Sequence, residues 1–147
     1  MVAYLTFNDA PSGVYQSQVV DVVNFLHTKG QSVRLVSLIS LRGFSHNRQK
    51  IKAHCPNAIV IPMFPGVKNW KWNAITLVLL FLFLRPKTVM ARGIFATWLA
   101  RRTRNWLRYY RVVFDARGAY FAEFKEYRLI DDERFIERTK KLERKAL

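Results

Sequence analysis

A single cysteine in 147 residues leaves no partner for an internal disulfide and no cluster for a thiolate zinc site. Acid is scarce too: ten Asp and Glu stand against twenty-five Lys and Arg, a formal net charge of +15. The six glycines never fall in the G-x-G-x-x-G spacing of a dinucleotide site, and no Gly-Lys-Ser/Thr marks a P-loop. The amino terminus has no basic n-region, and Asn8-Asp9 interrupts its apolar opening, so no secretory signal is read there. With one thiol, the expected address is cytoplasmic. The longest apolar run, Ala74 to Leu84, has eleven residues with Thr76 its one polar member. As a helix it reaches about 16 Å against a bilayer core of about 30 Å, too short to cross.

What is present is enough for one domain. Half of the residues are apolar and 14% aromatic, so a core can form. The charge is uneven. Residues 1–67 carry six basic and two acidic side chains, residues 68–147 nineteen and eight, and between Arg85 and Arg111 there are eight basic side chains and no acid. Such an excess suits an anionic partner: nucleic acid, an anionic membrane surface or a phosphorylated ligand.

Strand and helix signals alternate along the chain. Strands are predicted over residues 2–7, 33–40, 58–61, 88–91 and 112–115. Helices are predicted over 14–29, 46–55, 69–84, 94–108 and 131–146. Tyr15, Val19, Val22, Val23 and Leu26 form one apolar stripe on the first helix. Ser12 is placed to cap it and Gly30 to end it. Pro65-Gly66 reads as a turn. The alternation predicts an α/β fold: one Rossmann-like three-layer domain spanning 1–147, with a mostly parallel sheet. Ligands then bind beyond the carboxyl ends of the strands. There the sequence places Ser12 and Gly13, Arg92 and Gly93, and Asp115, Arg117 and Gly118. Bare amides near Gly13 and the forks of Arg92 and Arg117 suit a phosphate or sugar. The same residues also serve a plainer purpose: glycines end strands, and Asp115 can pair with either arginine to brace strand ends.

Two stretches resemble a known family. Pro86-Lys87-Thr88-Val89-Met90-Ala91-Arg92-Gly93, followed by Val112-Val113-Phe114-Asp115-Ala116-Arg117-Gly118 with Glu123 beyond it, is similar to the N-terminal half of family 4-like glycosyltransferases. These have the two-domain B-type fold. Tyr4-Leu5-Thr6-Phe7 and Pro11-Ser12-Gly13-Val14 stand where that family has its first strand and glycine-rich loop. Ile136 and Leu142 to Leu147 resemble the helix leading toward the second domain. Where members often have paired glycines, this chain has Gly13 alone. Where many carry a histidine after the fourth or fifth strand, it has Arg92 and Arg117.

The resemblance implies the acceptor-side half of a retaining hexosyltransferase that uses no metal or other cofactor. The partners it implies are a nucleotide-sugar donor, a saccharide or lipid-linked saccharide acceptor, and a separate C-terminal domain with the Glu-x7-Glu motif. Alone, such a half is expected to be inactive. Its ligand residues would be Ser12, Gly13, Arg92, Gly93, Asp115, Arg117, Gly118 and Glu123.

A rival reading needs no catalysis. Trp70, Lys71 and Trp72 precede the apolar run, and Arg101 and Arg102 follow on the next helix near Trp98. Aromatic and basic residues together suit an anionic membrane interface, here the inner face of the plasma membrane. Solvated helices with buried tryptophans would show the same composition. Nucleic acid is the lesser alternative, because aliphatic strands offer no stacking platform. His46 and His54 are eight apart and do not chelate one ion together.

Overall fold

The computed structural model describes residues 1–64 and 67–116, together with Glu137, Lys140, Lys141 and Arg144, which are helical. Arg117, Gly118, Glu123, the Pro65-Gly66 turn and the remainder of the helix expected over 131–146 lie outside the described residues.

Five strands form one sheet: β1 (Val2–Phe7), β2 (Val33–Ile39), β3 (Ile59–Pro62), β4 (Thr88–Arg92) and β5 (Arg111–Asp115). All neighbours are parallel and the order is β3-β2-β1-β4-β5. The fold is therefore the expected Rossmann-like α/β layer structure. β2 shows why the sheet is parallel and covered on both faces. Leu35, Val36, Leu38 and Ile39 are all buried, and so is Ser37 between them, so neither side of the strand is left for water.

The pleat divides the core in two. Ala3, Leu5, Val36, Leu38, Val89 and Ala91 pack against α4 (Asn73–Leu84) and α5 (Gly93–Leu107). Tyr4, Leu35, Ile39 and Val60 pack on the other side. There the chain forms α1 (Gly13–Tyr15), a π-helical turn (Gln16–Val20), α2 (Asp21–Thr28) and, after β2, α3 (Phe44–His54). Gly30 has a φ of +73° just past α2, the left-handed cap its position implied.

Two helices differ from their expected form for local reasons. The first is continuous but carries the π turn, which turns Val20 inward beside Val19 and Val23 and leaves Val22 exposed. The helix expected over 69–84 is a 3₁₀ segment (Val67–Trp72) followed by α4. Asn73 marks the junction: its Nδ2 donates to Trp70 O and its Oδ1 accepts from Phe64 N, both at 2.7 Å. Each polar atom of this buried side chain thus gains a partner, which burial demands.

Candidate functional site: the crevice between β1 and β4

The strand order reverses between β1 and β4: β2 and β3 are added to one side of β1, and β4 and β5 to the other. A parallel sheet opens its ligand crevice at such a point, beyond the carboxyl ends. Asn8 and Asp9 leave β1 there, and Arg92 ends β4.

Arg92 is the centre of this crevice. Its side chain, 10% exposed, ion-pairs through Nε with Asp9 Oδ2 at 3.3 Å, and Nη2 donates to Gln18 Oε1 at 2.9 Å. Gln18 belongs to the π turn, a helical distortion often found at functional sites. One guanidinium therefore ties together β4, the β1–α1 loop and the helix that follows. The third nitrogen, Nη1, is buried and has no hydrogen-bond partner. Such a donor carries a cost of about 1–3 kcal/mol, more for a charged group.

The surroundings differ in how ready they are for a ligand. Ser12 caps the first helix as expected, its Oγ accepting from Tyr15 N at 3.3 Å. Gly13 is exposed and has open space where a Cβ would sit, with no left-handed backbone. At the β4–α5 turn, no side chain caps α5 and its first turn contains no acid. Gly93 is buried with a φ of +74°, a conformation that suits glycine. Asp115 is opposite Arg92 in the strand register, but of the two arginines expected to brace against it, Arg92 is engaged elsewhere and Arg117 lies outside the described residues. Tyr4 Oη donates to Asp115 Oδ2, while Arg92 pairs with Asp9.

A hydroxyl network supports the floor. Thr6 Oγ1 and Tyr15 Oη donate to Ser37 Oγ at 2.9 and 3.0 Å. All three residues are buried, and burial pushes the Tyr15 pKa up. The network fixes the β1 and β2 ends and the helix above them, so the crevice rim rests on packed elements.

The aromatic and basic residues sort into two groups. Trp70 faces inward: its ring lies 4.8 Å from Trp98 and 5.2 Å from Phe95, next to Phe7. Lys71 lies over Trp98 at 5.6 Å. Trp72 is on the outside, 57% exposed. Arg101 and Arg102 are exposed on α5, and Arg102 stacks over Trp106 at 5.1 Å. His46 and His54 lie on α3, and no group of three metal-ligating side chains exists among the described residues.

The Asp9–Arg92–Gln18 frame and the Tyr4–Asp115 bond were not foreseen from sequence. Asp9 immediately beyond β1 and Arg92 at the end of β4 were the available signal, once those strands are known to be neighbours. No family model matches this chain, and no curated protein or solved structure matches it either.

Proposed function

We propose that this chain is the acceptor-side half of a nucleotide-sugar-dependent glycosyltransferase of the two-domain B-type fold. The carrying observation is the β1–β4 crevice with Arg92 fixed at its centre and one guanidinium nitrogen without an acceptor. The resemblance of the 86–93 and 112–118 stretches to that family supports the reading. In this arrangement the crevice takes the acceptor, and the donor is held mainly by a second α/β domain. The expected result is no sugar transfer and no nucleotide-sugar hydrolysis by the 147-residue chain. A longer protein with the second domain after Leu147 should transfer sugar. Turnover by the 147-residue chain, or a two-domain protein that binds no nucleotide sugar, would overturn the reading.

A second reading, peripheral binding to an anionic membrane, is favoured by the outer face of α4. Trp72, Ile75, Leu79, Leu82 and Phe83 recur at helical spacing on one stripe and are all exposed, Leu79 by 65% and Phe83 by 87%. A contiguous apolar patch of this kind marks an interaction surface. Residues 22–114 carry sixteen Lys and Arg and no acid, which matches an anionic bilayer in charge. Each cation near such a surface contributes about 1 kcal/mol. Among the described residues, no helix is long and apolar enough to cross a membrane. The protein should cosediment with phosphatidylglycerol vesicles, less with phosphatidylcholine, and less as salt rises. Equal sedimentation with both lipids would exclude this electrostatic attraction.

A further inference from the structure

The apolar stripe of α4 is bounded by cations. Lys71 stands next to Trp72, where the stripe starts, and Arg85 stands two residues beyond Phe83, where it stops. Along one side runs α5, on which Trp98, Arg102 and Trp106 are four residues apart and form one row. Contacts at both ends place α5 beside the stripe. At the start, the Trp98 ring lies 4.8 Å from that of Trp70, with Lys71 Nζ 5.6 Å from its centre. At the end, the Tyr109 hydroxyl donates to Phe81 O, in the last turn of α4. Both helices pack on the same face of the sheet, so their outer sides make one surface.

Each of the three cations has an aromatic neighbour. Lys71 lies over Trp98, Arg102 lies over Trp106 at 5.1 Å, and the charge of Arg85 acts on the hydroxyl of Tyr109. Lys71, Arg85, Arg102, Trp106 and Tyr109 are all exposed. A ring paired with a cation suits the level of lipid headgroups, with the ring at the hydrocarbon boundary and the charge among the phosphates. Apolar side chains suit the layer below. The stripe supplies the lower layer and the three pairs supply the upper one. A face meant only for water would mix charge signs, yet no acid occurs between residues 22 and 114.

We propose that Lys71, Arg85 and Arg102 bind the headgroup phosphates of anionic phospholipids, as a collar around the α4 stripe, with α4 and α5 lying in the plane of the membrane. The proposal rests on the membrane reading above and adds to it the docking face and the groups that meet the phosphates. The two exposed tryptophans support the in-plane orientation: Trp72 is at the start of α4 and Trp106 at the end of α5, so they stand at opposite ends of the helical layer. Lys29, Arg48 and Lys50 are exposed as well. They belong to the α2 and α3 side, across the sheet, and in this orientation they face water.

The test compares two triple variants of equal net charge. Lys71→Gln, Arg85→Gln, Arg102→Gln empties the collar, and Lys29→Gln, Arg48→Gln, Lys50→Gln removes as many cations from the opposite side. Binding to phosphatidylglycerol vesicles at fixed ionic strength should weaken about a hundredfold in the first, about fivefold for each cation near the surface, and far less in the second. Equal losses would overturn the collar and leave the membrane reading, since overall charge would then account for the attraction. A wild-type chain with no preference for phosphatidylglycerol over phosphatidylcholine would remove both. If the first variant fails to fold, tryptophan quenching by brominated phosphatidylglycerol vesicles decides. Trp72 and Trp106 should be quenched and Trp70 and Trp98 spared, so Trp72→Phe, Trp106→Phe should abolish the quenching, and quenching that persists overturns the proposal. Soluble glycerophosphoglycerol at the same phosphate concentration should not displace the protein from vesicles. Displacement would assign the three cations to a free phosphate ester, against the proposal. Loss of DNA binding in the first variant, with vesicle binding kept, would assign them to nucleic acid instead.

Discussion

The hydroxyl of Tyr4, on the central strand, reaches across β4 and donates to the carboxylate of Asp115 at the end of β5. The edge strand is thus fastened to the middle of the sheet by a side chain as well as by its backbone ladder. The same bond gives the carboxylate at the β5 terminus a buried tyrosine as a partner. Tyr4→Phe keeps the ring that fills the core and removes only this donor. Stability should fall by about 1.5–3 kcal/mol, the usual value for a hydrogen bond to a charged group. Urea unfolding measures it, and an unchanged midpoint would show that the bond contributes nothing net.

The two faces of α4 should respond oppositely to truncation. Phe81 is fully buried and edge-on to Tyr110 at 5.5 Å, so Phe81→Ala should cost about 3–5 kcal/mol. Phe83 is two residues away and exposed. Phe83→Ser should change stability by about 0.5 kcal/mol or less while reducing sedimentation with anionic vesicles. A large stability loss in Phe83→Ser would mean that the stripe is covered within the chain.

Alkaline pH should unfold the domain through its buried tyrosines. Burial raises the pKa of both Tyr15 and Tyr110 above the ordinary value of about 10. Above pH 10 the unfolded chain gives up these protons and the folded chain keeps them, so the folded state binds more protons and stability declines as pH rises. The stabilisation is whole below pH 10 and is lost through the raised folded values. Denaturant midpoints should be flat between pH 7 and 8, decline slightly as the unfolded Cys55 thiol ionises, and fall steeply above 10. The double variant Tyr15→Phe, Tyr110→Phe should flatten that decline, although loss of the Tyr110 bond to Ala100 O lowers its starting point.

Cys55 should report on opening of the fold. Its thiol is 2% exposed at the end of α3, and burial pushes its pKa up. Both effects suppress the reactive thiolate. Labelling by a thiol reagent at pH 8 should be slow in the native protein and fast in denaturant. Fast native labelling would show that the α3–β3 junction opens readily.

Two glycines beside the crevice should behave differently. Gly13→Ala meets open space in a helical conformation, so the melting temperature should hold or rise slightly. Gly93→Ala forces a side chain into φ +74°, and a loss of about 1–2 kcal/mol is expected. Equal melting temperatures would show that Gly93 relaxes without strain.

Legibility from sequence followed the range of the interaction. Strands with continuous apolar runs and helices with stripes were found nearly to the residue, because burial against a sheet imposes those patterns locally. The π turn was not, since one extra residue in a helical turn has no compositional mark. It converts the expected stripe through Val22 into one through Val20. The split at Asn73 depends on Phe64, nine positions earlier, meeting it in space. Arg92 ends β4 and Ser12 caps the first helix, as the pattern placed them, yet Asp115, expected to pair with Arg92 or Arg117, leaves Arg92 to Asp9. That choice turned on strand order and on where Tyr4 points, neither of which a linear pattern contains. Trp70 and Trp72 are equally apolar and basic in context, and only packing sends one inward and the other out.

The anchoring of α4 sets a direction. Its start is tied through Asn73 to Phe64 just past β3, at the carboxyl edge of the sheet, and its end leads through Lys87, whose N–H bonds Met1 O, at the amino edge. The helix therefore lies along the strands and antiparallel to them. If the α4 stripe rests on a bilayer, the strands lie flat above it and the crevice mouth opens sideways, along the lipid surface. A ligand anchored in that bilayer would then arrive by lateral diffusion in two dimensions, without leaving the leaflet.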